Sequence, residues 1–517
     1  MRSTLFCLCI FTIGLSACSA PYVYQNYPGN NEAFAPQDTD SQDKFIALPK
    51  NNIKLTKREP VSTFSIDVDT GSYSIARRML SMGNLPPPEA VRVEEFINYF
   101  DYDYLPPQSS KVPFSVSTEI GPTPWDQNTQ LLQIGIKGYE VPPEEVGNSN
   151  LVFLIDVSGS MQGEDRLDLV KQALTSLTYQ LRPDDQISIV VYAGAAGVIL
   201  PPTFAYQKSR IIEALDQLEA GGSTNGGEGI QLAYSLAQKA YIEGGINRII
   251  LCTDGDLNVG ITDTNQLKSL VEANRERGIS LTTLGFGLGN YNDHLMEQLA
   301  DIGNGNYAYI DNYSEARRVL VDQANSTLMT IAKDVKIQIE FNPEVVNEYR
   351  LIGYENRLLN RADFNNDKVD AGDIGAGHTV TAIYEIRLSD SDNPSIDPLR
   401  YQTAHPTNER QNDHGELAYL KLRYKLPDGD HSQLVKHPIL TQDIKNKLYD
   451  MSDDFRFSAA VAAFGQKLGH SQIADMPYAS IHALASGALG QDKFGYRREF
   501  MSLIKSAETL SQQQSSL

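Results

Sequence analysis

Cysteine is scarce in this chain of 517 residues: there are four, Cys7, Cys9, Cys18 and Cys252. The first three crowd the N-terminus, so the rest of the chain holds Cys252 alone and has no intrachain disulfide to form. Cys252 lies inside the apolar run RIILCTDG with no histidine close in sequence to activate it. It reads as a small buried hydrophobe, not a nucleophile. A lysine- or arginine-rich run is also lacking, against a formal net charge of −21. Such a surface repels nucleic acid, which is not expected as a partner. Beyond the N-terminus no stretch has the ~18 uninterrupted apolar residues of a membrane-crossing helix. H-E-x-x-H and G-x-S-x-G are absent, and the eight histidines form no cluster with metal-ligand spacing. His294, His378, His414 and His482 stand isolated, and the chain is not expected to be an enzyme.

What is present begins with MRSTLFCLCIFTIGLSACSA. Arg2 precedes an apolar stretch from Leu5 to Leu15, too short to span a bilayer and suited to a signal peptide. LSAC, Leu15 to Cys18, resembles a bacterial lipobox. In that reading residues 1–17 are removed and Cys18 carries lipid; cleavage near Ala20 as an ordinary secretory signal is the alternative. Several acyl chains would hold the protein to a membrane where one would not. Ser19 after the cysteine favours the outer membrane, by analogy with enterobacterial lipoproteins, with periplasmic or surface face left open. Residues 18–60, rich in Tyr, Asn, Gln, Pro and Asp without periodicity, predict a flexible tether.

The remainder divides by pattern. Residues 61–147 form an extension: SYSIARRMLSMG has helical spacing and ends at Gly83, and after the triple proline Glu89 starts a second helix carrying Val91, Phe96 and Phe100. FSVSTEIG and QLLQIGIKG alternate as strands. Over residues 148–332 apolar strands alternate with amphipathic helices, the last helix running SEARRVLVDQANSTLMTIA. This is a doubly wound α/β domain with a mostly parallel sheet, whose ligands sit at the C-terminal strand ends. Residues 333–440 carry strands without intervening helices and predict an antiparallel β-sandwich that flanks the α/β domain or receives it as an insertion. Residues 441–517 are helical. The expected fold class is therefore multidomain α/β plus β with a C-terminal helical region.

The chemistry concentrates at the α/β strand ends. LVFLID is followed by VSGS, which places Asp156, Ser158 and Ser160 at the end of the first strand and in the turn beyond it. GGSTNGGEG offers Thr224 from a glycine-rich loop before a helix, and LCTDGD offers Asp254 at the end of another strand. Hydroxyls with few carboxylates suit a hard cation such as Mg²⁺. Helix capping explains each residue separately but not their convergence. An earlier stretch, FSIDVDTGSYS from Phe64, looks locally like FLIDVSGSMQG from Phe153 but has no such companions. It reads as a strand leading into a helix capped by Thr70 or Ser72. The glycine loop lacks the G-K-[S/T] ending of a phosphate loop. DFNNDKVDAGDI, from Asp363, resembles the start of a calcium loop, yet Lys368 and Ile374 occupy its glycine and glutamate positions.

Residue by residue, Asp156, Ser158, Ser160, Thr224 and Asp254 resemble the metal-ion-dependent adhesion site of the von Willebrand factor type A (VWA) domain. The resemblance implies Ser158, Ser160 and Thr224 as direct or switchable ligands of Mg²⁺ (or Mn²⁺ or Ca²⁺), with Asp156 and Asp254 acting largely through water. It implies an open coordination position for an acidic side chain of a partner protein. The whole mature chain resembles bacterial envelope lipoproteins with an N-terminal VWA-associated extension, on STFSIDVDTGSYS…RVEEFINYF, DFNNDKVDAGDIGAGHTV and FRFSAAVAAFG. The expectation is metal-dependent binding of an envelope or surface protein by a lipid-anchored scaffold. The alternative is an accessory subunit of an envelope enzyme complex, since VWA domains also serve chelatases and AAA+ machines.

Overall fold

The computed structural model describes residues 43–517 except 110, 143, 224–225, 256–263, 290, 392–393, 397–414, 428, 430, 472, 474 and 516–517. The signal segment, Cys18 and most of the tether lie outside the described residues. The extension comprises β1 (Lys54–Leu55), β2 (Val61–Ser65), α1 (Gly71–Ser81), α2 (Val93–Asn98), β3 (Phe114–Pro122) and β4 (Gln130–Gly138). The α/β part opens with β5 (Ser149–Asp156), α3 (Leu167–Gln180), β6 (Gln186–Tyr192), β7 (Ala196–Phe204), α4 (Lys208–Asp216) and α5 (Gly226–Lys239). It continues through β8 (Ile246–Thr253), α6 (Thr264–Arg275), β9 (Ser280–Gly285), α7 (Asp293–Ile302), β10 (Tyr307–Tyr309), α8 (Tyr313–Arg317) and α9 (Ala324–Leu328). Then come β11 (Thr330–Phe341), β12 (Val346–Ile352), β13 (Ile374–Gly375), β14 (Thr379–Leu388), β15 (Glu416–Lys425) and β16 (Gln433–Leu440). Helices α10 (Asp453–Leu468), α11 (Tyr478–Ser486) and α12 (Tyr496–Ser515) close the chain.

The α/β sheet has the order β10-β9-β8-β5-β6-β7, parallel except for β7. Its central strand β5 is buried along its whole length. Leu151, Phe153 and Ile155 pack on one face with α3 and α4 residues, while Val152 and Leu154 pack on the other with α5 and α7. Period-2 alternation into two helical layers is why the strand reads as a continuous apolar run.

Two antiparallel sheets form the sandwich. One has the order β1-β12-β14-β4-β3; the other has β13-β11-β15-β16 with β2 also on β11. Both combine strands from before and after the α/β part, so that part is an insertion. Val335, Ile337, Ile339 and Phe341 of β11 face Leu132, Ile134, Val380 and Tyr384 across a shared core. The first sheet's outer side is covered by the helical region: Leu131 and Ile383 join a cluster with Phe96, Phe464 and Phe500. Helix α10 is buried nearly all round, which its alanines permit.

Three local expectations change. The second helix of the extension begins at Val93, not Glu89, after a 3₁₀ turn at Pro88–Ala90 and extended Val91 and Arg92. The closing α/β helix does not reach Ala332. It passes through a π turn at Arg318–Asp322, ends at Leu328, and yields to β11 from Thr330, because Ile331, Ala332 and Val335 are claimed by the sandwich core. Strand β16 is missing from the sequence reading because its burial is slight and a proline interrupts it.

Candidate metal centre and its decoys

Strand register delivers the candidate ligands. Asp156 ends β5, and Ile155 pairs with Cys252 on β8, so Thr253 lies beside Asp156 and Asp254 follows just beyond. Asp156 is fully buried, Ser158 is 2% exposed, and Asp254 is 7% exposed, whereas Ser160 is exposed. The Ser158 N–H donates to Asp156 Oδ1 at 2.9 Å, closing a tight turn, and the Ser158 and Ser160 hydroxyl oxygens lie 3.0 Å apart. Two residues of one turn thus aim at one point.

The glycine-rich loop is tied to the same turn. The Gly159 N–H donates to Gly222 O at 3.0 Å, and the Gly221 N–H donates to Val157 O at 2.7 Å. Thr224, two residues on, lies outside the described residues. The loop opening with φ +88° at Gly222 requires a glycine there.

Thr253 is a participant that sequence reasoning passed over. Its hydroxyl donates to Asp156 Oδ2 at 3.1 Å and accepts from the Gly255 N–H at 3.1 Å. The signal was available: it directly precedes Asp254 at the end of an apolar strand. Asp254 Oδ1 is buried with no hydrogen-bond partner, and no lysine or arginine pairs with Asp156 or Asp254 among the described residues. Burial pushes the Asp156 carboxyl up to about 6 despite hydrogen bonds from Ser158, and the charge of Asp254 adds to the rise. Two carboxylates held together without a counter-charge are a standing demand for a cation or a proton. Among the described residues no group of three His, Cys, Asp or Glu side chains is arranged for a metal; this donor set instead relies on hydroxyls.

FSIDVDTGSYS takes the same local turn to a different end. The Asp69 N–H donates to Asp67 Oδ1 at 2.9 Å, matching the turn at Asp156. Here, however, Arg357 reaches in, pairing with Asp67 at 3.3 Å, Asp69 at 2.9 Å, Glu297 at 2.9 Å and Asp301 at 2.5 Å. Asp69 Oδ1 also accepts from the Tyr307 N–H at 2.8 Å, so the stretch seals the β10 edge of the α/β sheet. Neither expected cap forms at α1: Thr70 accepts from Arg318, and Ser72 donates to Ala90 O, while Glu95 Oε2 takes the Ser72 N–H at 2.7 Å. The Glu95 carboxyl group, reaching over from α2, does the capping instead.

The calcium-loop likeness also resolves. Lys336 Nζ donates to the carbonyls of Asp363 and Asn366, and Lys425 Nζ to Asp334 Oδ2 and the Asp367 carbonyl. Arg423 donates to the side-chain oxygens of Asn365 and Asp367, both at 3.2 Å, and Asn360 to Asp363 Oδ2, so the side-chain oxygens a cation would need are already bonded. Cys252 is fully buried, and burial pushes its thiol up, as an inert core residue requires.

Comparison with known proteins places these features. The model of the von Willebrand factor type A domain matches residues 150–342, one described as von Willebrand factor matches residues 39–133, and one described as uncharacterized protein YfbK, C-terminal, matches residues 326–510. The uncharacterized protein YfbK of Escherichia coli (strain K12) is 48% identical over 474 residues, covering 90% of this chain and 81% of that protein. The chain belongs to the YfbK family. VWA domains mediate protein–protein interaction, and the YfbK C-terminal region supplies most of the sandwich's later strands and the closing helices. Human inter-alpha-trypsin inhibitor heavy chain H4 is 30% identical over 181 residues, 34% of this chain and 18% of that one. Among solved structures, a von Willebrand factor type A protein from Catenulispora acidiphila aligns over 77% of this chain and 91% of its own, at 14% identity and a TM-score of 0.43.

Proposed function

We propose that this YfbK-family protein is a non-enzymatic, membrane-tethered binding protein that holds a partner through a divalent metal at its VWA domain. The observation that carries the reading is the buried, unpartnered Asp254 Oδ1 next to Asp156 at the crest of the sheet. Asp156, Ser158, Ser160, Thr224 and Asp254 would hold Mg²⁺, with Mn²⁺ or Ca²⁺ as substitutes. When bound, the metal supplies an electrophilic centre that accepts an acidic side chain of the partner. The chain's own residues do the rest. Asp156, fixed by Ser158 and Thr253, sets the turn; the serine hydroxyls converge; and the Gly221–Gly222 bonds hold the glycine loop against them.

The partner is an envelope or surface protein, and Cys18 carries the lipid that anchors the chain at the outer membrane. Crosslinked pulldown from membranes tests the mechanism: the partner band is expected with Mg²⁺ and lost with EDTA. A band that persists in EDTA overturns it. Membrane fractionation tests the anchor, with Cys18→Ser expected to move the protein to the soluble fraction.

A further inference from the structure

Strand β2 is bonded along one edge and open along part of the other. The Phe341 N–H donates to Pro60 O and the Ile66 N–H to Val335 O, so Ser62 and Phe64 exchange the ladder bonds with β11. By alternation Val61 and Thr63 turn their backbone groups outward. The Leu359 N–H takes Thr63 O at 3.0 Å, and Phe64 bridges to Leu358, but this cover ends there. The Val61 carbonyl receives only a 3.3 Å bond from the Tyr349 hydroxyl. Thr63 is buried beneath Leu359, so of the outward N–H groups that of Val61 is left to face a groove of about 490 Å³.

The groove's charge runs against that of the chain. In a protein of net charge −21 it is lined by Lys54, Arg58 and Arg361, with Glu59 its sole acid. Lys54 is paired with Glu59 at 3.2 Å, while Arg58 and Arg361 are exposed and make no ion pair among the described residues. Leu358 adds an apolar floor, 46% exposed. The open strand edge at Val61, the unpaired guanidiniums and an exposed leucine together describe a receptor for an extended chain bearing carboxylates.

We propose that this groove docks an extended acidic segment of a partner protein, joining β2 at its open Val61 end and paired with Arg58 and Arg361. It lies on the sandwich, away from the VWA strand ends, and needs no metal. Fluorescence anisotropy with a labelled, acetylated Glu-Val-Glu-Val-Glu-Val-Glu-Val peptide and the full chain tests it. Binding is expected to weaken at least tenfold in the Arg58→Glu/Arg361→Glu double variant, whose thermal melt stays unchanged because both residues are exposed. EDTA is expected to have no effect, which separates this site from the VWA centre. The Lys-Val analogue is expected not to bind, and a peptide N-methylated at alternate residues to bind at least tenfold more weakly. Equal binding by the double variant, or by the Lys-Val peptide, overturns the proposal; equal binding by the N-methylated peptide overturns strand addition. If the labelled peptide fails to bind the unaltered chain at low salt, the groove is not an acidic-segment receptor.

Discussion

FSIDVDTGSYS and FLIDVSGSMQG build the same aspartate-centred turn and then part company over counter-charge. At Asp67 and Asp69 an arginine from the sandwich, Arg357, enters and the carboxylates become part of the joint between two bodies. At Asp156 and Asp254 no cationic side chain arrives among the described residues, and one buried oxygen is left there without a partner. The lesson is that a strand-end aspartate turn is a local structure, and its chemistry is decided by what the rest of the chain brings to it. A guanidinium makes it mortar; its absence leaves room for a cation.

The comparison breaks most severely at Arg357. Replacing it with methionine strands Asp67, Asp69, Glu297 and Asp301 at a buried joint, and loss of about 3–5 kcal/mol in urea unfolding is expected. A loss under about 1 kcal/mol would mean those carboxylates do not depend on it. Next comes the wall behind Asp254. Gly255 has φ +88°, and an added Cβ would lie 2.6 Å from the Asn292 nitrogen. Gly255→Ala should cost about 1–3 kcal/mol by the same assay and weaken metal binding as Asp254 shifts.

A third effect is pH dependence at the mortar joint. Burial pushes Glu95 up to about 8 and Glu297 up to about 7, although Arg92 and Arg357 oppose the rise. The folded chain thus keeps protons that the unfolded chain releases near its ordinary carboxyl pKa of about 4.3. The stability these groups contribute is present below that pH and is lost as pH rises through about 7 and 8. Glu94, fully buried with both carboxyl oxygens unpartnered, is likewise raised by burial. Unfolding midpoints should fall between pH 6 and pH 9, and Glu94→Gln should flatten the slope; a flat profile in the unaltered chain contradicts this. The smallest stability effect is expected at exposed Ser160, where Ser160→Ala should change unfolding by less than about 0.5 kcal/mol yet weaken Mn²⁺ binding in calorimetry.

Much of this architecture was legible because it is written in short-range pattern. The continuous apolar run of β5 announces a strand covered on both faces, and D-x-S-x-S announces the turn beyond it. The insertion was open in sequence because β1, β2 and β4 pair with strands more than two hundred residues later, and nothing local records a partner at that distance. Arg357 was illegible for the same reason. It follows Tyr354 in the left-handed region and looks like a surface residue in YENRLL, yet it neutralises aspartates near the start of the chain. The helix cap expected of Thr70 or Ser72 failed because Arg318 and Ala90, brought in by the fold, claimed both hydroxyls.

The central claim is that the turn lacking an arginine, and not its look-alike, holds a metal. Isothermal titration of the purified chain with Mn²⁺ decides it, comparing Asp156→Ala and Thr224→Ala with Asp67→Ala. One site is expected in the unaltered chain and in Asp67→Ala, with no binding in Asp156→Ala or Thr224→Ala. Unchanged binding in both of the latter, or loss confined to Asp67→Ala, would contradict the account.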